Sequence, residues 1–194
     1  MNAAFELPAE NSPREFGQAH LYRHPSTQEK IAKVFPGQLF GTAEPIQIVT
    51  LLGSCVAACI RDPVAGIGGM NHFMLPAGCA SGFNPRGDHR YGQVAMDTLI
   101  HYLEQCGAER DRMEVKLFGG GNMQDQGIGD GVGERNIAFA EGYCQAAGLH
   151  VLASDLGLQC PRKVVYQPVS GIARVKRVAP MYREMATKHG SLDD

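Results

Sequence analysis

A short turn between two apolar segments constrains the fold of this 194-residue chain more than any other feature. In Asp62-Pro63-Val64-Ala65-Gly66, proline presets the backbone of the second turn position, and glycine tolerates a positive φ. The flanking segments, residues 56–60 and 67–75, are short and mostly apolar, as buried strands are. The pattern therefore predicts an antiparallel β-hairpin whose two-residue turn places Asp62 opposite Ala65.

The same register places a thiol beside an imidazole. A hairpin folded about Pro63-Val64 pairs Cys55 with His72, and opposed side chains on one face lie about 4.5–5.5 Å apart at Cβ. A bulge at Gly66 is an alternative, and it would shift the register by one residue and send His72 to the other face. A helix that begins after Cys55 is a further alternative, because its N-terminus would also lower the thiol pKa.

Periodicity elsewhere predicts two helices among strands. Apolar residues recur at helical spacing in 91–106 and 133–147, and each segment is followed by a glycine. Strand patterns occupy 46–52, 113–118, 150–154, 163–167 and 172–178, with a turn at 168–171 joining the last two. This order favours an α+β fold, a layered mixed β-sheet or sandwich flanked by helices.

The ends of the chain differ in composition from the middle. Residues 1–40 are polar and interrupted by prolines, which predicts an N-terminal extension, partly disordered or docked on the surface. We expect one domain over residues 41–180 and a tail over 181–194. Residues 77–89 are rich in Gly, Ser, Asn and Pro and predict a long loop or lid.

Composition excludes several classes of function. The net charge of −2 and the pI of about 6.4 give no basic field for nucleic acid. No apolar run reaches the ~18 residues of a membrane span, and the first residues lack the order of a secretory signal, so we expect a cytoplasmic protein. In a reducing compartment the six cysteines are not a disulfide scaffold. No Cys-x2-Cys pair supports a structural zinc site, so no metal is expected.

Cys55 has a catalytic and a structural interpretation. Gly53-Ser54 precede it, and such a tight approach would expose backbone N–H groups near the sulfur, as an oxyanion hole requires. A cysteine beside a histidine is the minimum equipment of a nucleophilic thiol. Against this, a lone cysteine in an apolar segment is usually a core residue, which is our interpretation of Cys59.

His72 likewise could be a base or a core histidine bonded to backbone. Thr50 is a candidate to orient the imidazole through its hydroxyl or carbonyl, with Asp97 or Asp155 as charged alternatives.

Two further patterns have weak functional alternatives. The glycines at 119–121 and at 127, 129, 131 and 133 would suit a phosphate cradle, but neither run matches a phosphate-loop motif, and a structural loop is favoured. A basic cluster could dock an acidic protein surface or form a solvated strand face; it contains Arg162, Lys163, Arg174, Lys176 and Arg177.

Taken together, these segments resemble the CheD family, the chemoreceptor glutamine deamidases of bacterial chemotaxis. The resemblance covers roughly residues 30–178 and is carried by residues 50–59, 66–76, 90–92, 95–96, 116–123, 128–129, 134–136 and 162–164. One departure is visible, because the family usually has Asp-x-Gly-Gly where this chain has Asp155-Leu156-Gly157-Leu158.

The resemblance implies a site and a fold. Cys55 would be the catalytic cysteine, His72 its histidine and Thr50 the residue that orients the histidine, with backbone support from Gly53 and Ser54. The implied fold is a layered α+β arrangement similar to deamidating toxins with a Cys-His site, and no cofactor is implied.

The implied reaction is hydrolysis of a glutamine side-chain amide to glutamate through a cysteine thioester. The implied partners are the cytoplasmic domains of chemoreceptors, with a CheC-like phosphatase as a further partner, and neither nucleic acid nor membrane insertion is expected. An adaptor that binds receptors or the phosphatase with little catalytic activity is the alternative from another class. A cysteine protease is a third alternative.

Overall fold

The computed structural model describes residues 15–76, 87–122 and 131–178. They form eleven strands, two α-helices and a 3-10 turn at Arg110–Arg112. The helices are α1 (Gly92–Gln105) and α2 (Val132–Ala146). The strands are β1 (Glu15–Gly17), β2 (His20–Arg23), β3 (Lys30–Lys33), β4 (Gln38–Thr42), β5 (Gln47–Leu52), β6 (Val56–Asp62), β7 (Ile67–His72), β8 (Glu114–Gly119), β9 (His150–Leu156), β10 (Arg162–Tyr166) and β11 (Ala173–Arg177).

The strands form two sheets that, with the helices, make three layers. The six-stranded sheet has the order β1-β4-β7-β6-β8-β9, and the five-stranded sheet has the order β11-β10-β5-β3-β2. One core lies between the six-stranded sheet and the helices, and a second lies between the two sheets. This is the predicted α+β fold with layered mixed sheets.

Strand β6 shows why the six-stranded sheet lies in the middle. Its side chains are apolar on both faces, with Val56, Ala58 and Ile60 in the helix-side core and Ala57 and Cys59 in the inter-sheet core. A strand covered on both faces is expected to be continuously apolar rather than alternating.

The predicted hairpin forms, but its predicted register is wrong. Strands β6 and β7 are antiparallel with Asp62 opposite Ile67, and Val56 lies opposite Phe73. The turn therefore contains four residues rather than two. The Asp62 carboxylate accepts hydrogen bonds from the N–H groups of Val64 and Ala65, and Gly66 closes the turn at φ 63°. Cys55 and His72 are consequently not directly opposed. The alternative of a bulge at Gly66 that shifts the register by one residue is wrong, and a strand rather than a helix follows Cys55.

The helices and the later strands agree with the sequence predictions, including the β10–β11 hairpin. Residues 15–40 differ from the predicted extension, since β1 pairs with β4 in one sheet and β3 pairs with β5 in the other. Their apolar side chains enter both cores; the buried ones are Phe16, Ile31, Ala32, Val34, Leu39 and Phe40. Residues 1–14, the tail over 181–194 and most of the predicted lid lie outside the described residues. Within the described part, no helix is long and apolar enough to span a membrane.

Candidate functional site

His72 is held by a hydrogen bond that crosses between the two sheets. It ends β7, is 1% exposed and shares the inter-sheet face of that strand with Met70. Thr50, on β5 of the other sheet, places its Oγ1 2.8 Å from His72 Nδ1. The same hydroxyl donates to the Val34 carbonyl at 2.8 Å. A hydroxyl has one proton, so Thr50 must accept from Nδ1–H, and the neutral ring then carries its lone pair on Nε2.

The free nitrogen of His72 is suited to accept a proton. Nε2 is buried and has no hydrogen-bond partner among the described residues. Burial lowers the pKa of His72 to about 4, against a weaker opposing effect of the Val34 backbone. The imidazole is therefore neutral near pH 7, as a general base must be.

Cys55 lies in the connection between β5 and β6, which is where the chain passes from one sheet to the other. Its side chain packs against the inter-sheet core, as Ala57 and Cys59 do. Because Val56 lies opposite Phe73, Ala57 is opposite His72, and Cys55 is the diagonal neighbour of His72 on the same face. Diagonal neighbours lie about 7–8 Å apart, within reach of longer side chains.

The Cys55 thiol is protonated in the resting site. Burial raises its pKa, and its own backbone N–H opposes this more weakly. With a neutral imidazole nearby, the resting pair is thiol and imidazole rather than a preformed ion pair. Such a pair fits a mechanism in which the imidazole takes the thiol proton as the sulfur begins its attack.

The backbone around Cys55 is fixed through its carbonyl groups. Gly121 N–H donates to Gly53 O at 2.8 Å, and Gly120 N–H donates to Cys55 O at 2.8 Å. The Asn136 side chain donates from Nδ2 to Ser54 O at 3.0 Å. These two glycine N–H groups are thus already used, which favours the structural interpretation of residues 119–121 over a phosphate cradle.

Close packing explains the glycines of this loop. Gly119 has φ 110°, and a Cβ there would lie 2.2 Å from Cys55 O. A Cβ on Gly133, in the first turn of α2, would lie 2.6 Å from Gly120 O. Only glycine permits backbone to approach backbone so closely.

The backbone N–H groups of Ser54 and Cys55 remain available. Among the described residues, neither Ser54 N–H nor Cys55 N–H donates to another residue. The Cys55 N–H lies close enough to its own sulfur to lower the thiol pKa. Donors beside an attacking sulfur are what an oxyanion hole requires.

The other sequence candidates lie elsewhere. Asp97 accepts hydrogen bonds from Gln93 and Tyr143 on the helical layer, and Asp155 pairs with Arg162 and Arg177. Thr50 rather than either aspartate therefore contacts the imidazole. Arg162, predicted as part of a surface cluster, is fully buried. The described residues contain no group of three or more His, Cys, Asp or Glu side chains that could hold a metal ion.

Comparison with known proteins identifies the family to which the chain is similar. The family model described as CheD chemotactic sensory transduction matches residues 74–177. A protein of Thiobacillus denitrificans named "Probable chemoreceptor glutamine deamidase CheD" is 47% identical over 160 residues, which is 82% of this chain and 79% of the relative.

Two further relatives carry the same name. The protein of Halorhodospira halophila is 47% identical over 84% of this chain and 77% of its own length. That of Methylobacillus flagellatus is 44% identical over 84% of this chain and 81% of its own length. At this identity and coverage, the chain belongs to the CheD family.

Proposed function

We propose that this protein deamidates glutamine side chains of chemoreceptors, with Cys55 as nucleophile, His72 as general base and acid, and Thr50 as the residue that orients His72. The names of the relatives support the substrate class. The observation that carries the site assignment is the Thr50–His72 hydrogen bond, since it leaves Nε2 unprotonated on the face that carries Cys55.

The geometry supports a two-step acyl transfer. His72 Nε2 takes the thiol proton as the sulfur attacks the amide carbon, and the N–H groups of Ser54 and Cys55 stabilise the oxyanion. As the C–N bond breaks, the imidazolium protonates the departing nitrogen, which leaves as ammonia. Water, deprotonated by His72, cleaves the thioester to give glutamate and the free thiol. The sum is amide plus water to carboxylate plus ammonium.

The substrate would be the cytoplasmic helical domain of a receptor, so the protein would act in the cytoplasm. Each conversion of Gln to Glu adds a negative charge and would shift the signalling equilibrium of that domain. A CheC-like phosphatase is a further proposed partner. An adaptor with little activity is the competing function, and the buried Thr50–His72 pair favours the enzyme because receptor binding has no use for it.

The test is conversion of receptor glutamines by Cys55→Ala, read by mass spectrometry as a gain of about 1 Da per glutamine when NH2 becomes OH. Cys106→Ala, at the far end of α1, is the matched control. We expect conversion by wild type and by the control but not by Cys55→Ala. Conversion by Cys55→Ala would refute the nucleophile assignment. No conversion by wild-type protein that still binds receptor would favour the adaptor.

A further inference from the structure

Asn136 connects the two segments that carry the catalytic side chains. It lies in the first half of α2 and is 0% exposed. Its Nδ2 donates to Ser54 O at 3.0 Å and to Met74 O at 2.8 Å. Ser54 directly precedes Cys55, and Met74 lies two residues after His72. A single amide group thus ties the cysteine segment to the end of β7.

Because the peptide unit is planar, the hydrogen bond from Asn136 to Ser54 O also fixes the direction of the Cys55 N–H. In a trans peptide the C=O of one residue and the N–H of the next point in opposite directions. Asn136, by holding Ser54 O, directs the Cys55 N–H away from α2. Gly121 N–H holds Gly53 O in the same way, and this fixes the direction of the Ser54 N–H. Both available N–H groups are thus oriented through the carbonyls that precede them.

The other end of the Asn136 amide sharpens the assignment. Its Oδ1 is buried and has no hydrogen-bond partner among the described residues. An unpaired buried carbonyl is destabilising. An apolar residue would avoid that cost but would leave Ser54 O and Met74 O without this donor, so the value of asparagine here lies in the two N–H bonds that it donates.

We propose that Asn136 is a positioning residue for the oxyanion hole, which it acts on through Ser54 O to aim the Cys55 N–H at the developing oxyanion. This inference rests on the proposed function. Neither the sequence patterns nor the spacing of residues identified this role, because Asn136 is 81 residues from Cys55 and acts through backbone.

Two reactions of Cys55 separate this role from a merely structural one. Deamidation passes through an oxyanion, whereas alkylation by iodoacetamide is a displacement at carbon that forms none. Asn136→Asp conserves shape but removes both donors, and Asn136→Ala removes them without burying a carboxylate. For both variants we expect the kcat of deamidation to fall about 10²-fold, the loss typical of one oxyanion donor. We expect the alkylation rate of Cys55, read on its peptide by mass spectrometry, to stay within about twofold.

Asn71→Asp is the matched control. Asn71 is also a fully buried asparagine, but it contacts Ala58 N–H and the Met96 sulfur on the helix side. The Asn71→Asp variant should be less stable than wild type but should keep the wild-type ratio of the deamidation rate to the alkylation rate of Cys55. Unchanged deamidation in Asn136→Ala, or a parallel fall of both rates, would overturn the proposal. Full activity of Cys55→Ala would instead refute the proposed function, so the two failures are distinguishable.

Discussion

The single proton of the Thr50 hydroxyl decides which nitrogen of His72 can act as a base. Donation to the Val34 carbonyl leaves Thr50 only an acceptor for the imidazole, so the proton of the neutral ring lies on Nδ1. A carboxylate would also fix this tautomer, but it would stabilise the imidazolium as well. Thr50 orients the ring without adding charge. The low pKa of His72 is consistent with this, since burial is its main cause and no carboxylate of the described residues contributes to it.

Replacing Thr50 tests this arrangement. Thr50→Val keeps the shape and removes the hydroxyl, so Nδ1–H and Val34 O lose their partner and either tautomer becomes accessible. We expect kcat to fall at least about 10²-fold, the lower range for loss of a positioned acid–base group. Thr50→Ser retains the hydroxyl and should keep most of the activity. Equal kcat in the two variants, measured at pH 7.5, would contradict the role of the hydroxyl.

The pKa of His72 also predicts how stability depends on pH. An unfolded histidine titrates near 6.5, whereas His72 in the folded protein titrates at about 4. Above pH 6.5 neither state is protonated, and stability is unaffected. As pH falls from 6.5 to about 4, only the unfolded state binds the proton, so roughly 3 kcal/mol of stability is lost.

The measurement is the free energy of unfolding in urea at several pH values. His72→Asn keeps an N–H donor for Thr50 but does not titrate, so its stability should fall less steeply between pH 6.5 and 4. Parallel curves for wild type and variant would contradict the low pKa.

At the level of elements, the hairpin shows what sequence could and could not predict. The turn, the two strands and their antiparallel pairing follow from Pro63, Gly66 and the apolar flanks. The register does not, because the Asp62 carboxylate binds two N–H groups of the turn and lengthens it from two residues to four. The observed register differs from the predicted one by two residues. An even shift leaves each side chain on its predicted face, so Cys55 and His72 remain on the same side of the sheet.

Strands β1 to β4 were not predicted because they are short and their residues are interspersed with prolines. They become strands through pairing with distant partners, such as β3 with β5, which no local pattern reports. The same reason applies to the proposed site. Cys55, His72 and Thr50 were candidates from the sequence and remain a proposal, whereas the contacts of Gly120, Gly121 and Asn136 with the Cys55 segment join distant parts of the chain that no local pattern connects.

The turn after β9 contains a residue that departs from the family pattern. Leu158 has φ 67°, and the left-handed conformation costs a side-chain-bearing residue about 1–2 kcal/mol. Its side chain is 50% exposed and so gains little from burial. Leu158→Gly relieves the strain. Glycine offsets about 0.5–1 kcal/mol of this gain because it increases the conformational entropy of the unfolded chain. We expect a net gain of up to about 1 kcal/mol, measured as a higher urea midpoint.

The neighbouring residue is a control of opposite sign. Gly157 has φ 73° and has room for a Cβ, with the nearest atom of Ile137 at 4.0 Å. Gly157→Ala therefore adds backbone strain without a clash and should destabilise the protein by about 1 kcal/mol. If Leu158→Gly also lowered the midpoint, strain at Leu158 would not be the dominant effect.

At the scale of the whole molecule, the site belongs to the interface between the two sheets. Thr50 lies on the five-stranded sheet, His72 on the six-stranded sheet, and Cys55 on the connection between them. The geometry of the site therefore depends on how the sheets pack on each other. The helix-side core lies on the other face of the six-stranded sheet, where Asn136 of α2 contacts the segment that precedes Cys55. A truncation on α1 leaves that contact in place, so equal losses of stability in the inter-sheet core and on α1 should have unequal effects on activity.

Two truncations of fully buried side chains test this dependence. Ile48, on β5 in the inter-sheet core, lies two residues before Thr50, and Leu103 lies on α1 in the helix-side core. Ile48→Ala and Leu103→Ala should each lose about 2–5 kcal/mol. We expect kcat to fall at least about tenfold in Ile48→Ala but little in Leu103→Ala, because a displacement of about 1 Å between catalytic groups costs up to 10²-fold. The comparison is made at a temperature where circular dichroism shows both variants folded. Equal loss of kcat in the two variants would mean that the spacing of the sheets does not control the distance between Thr50 and His72.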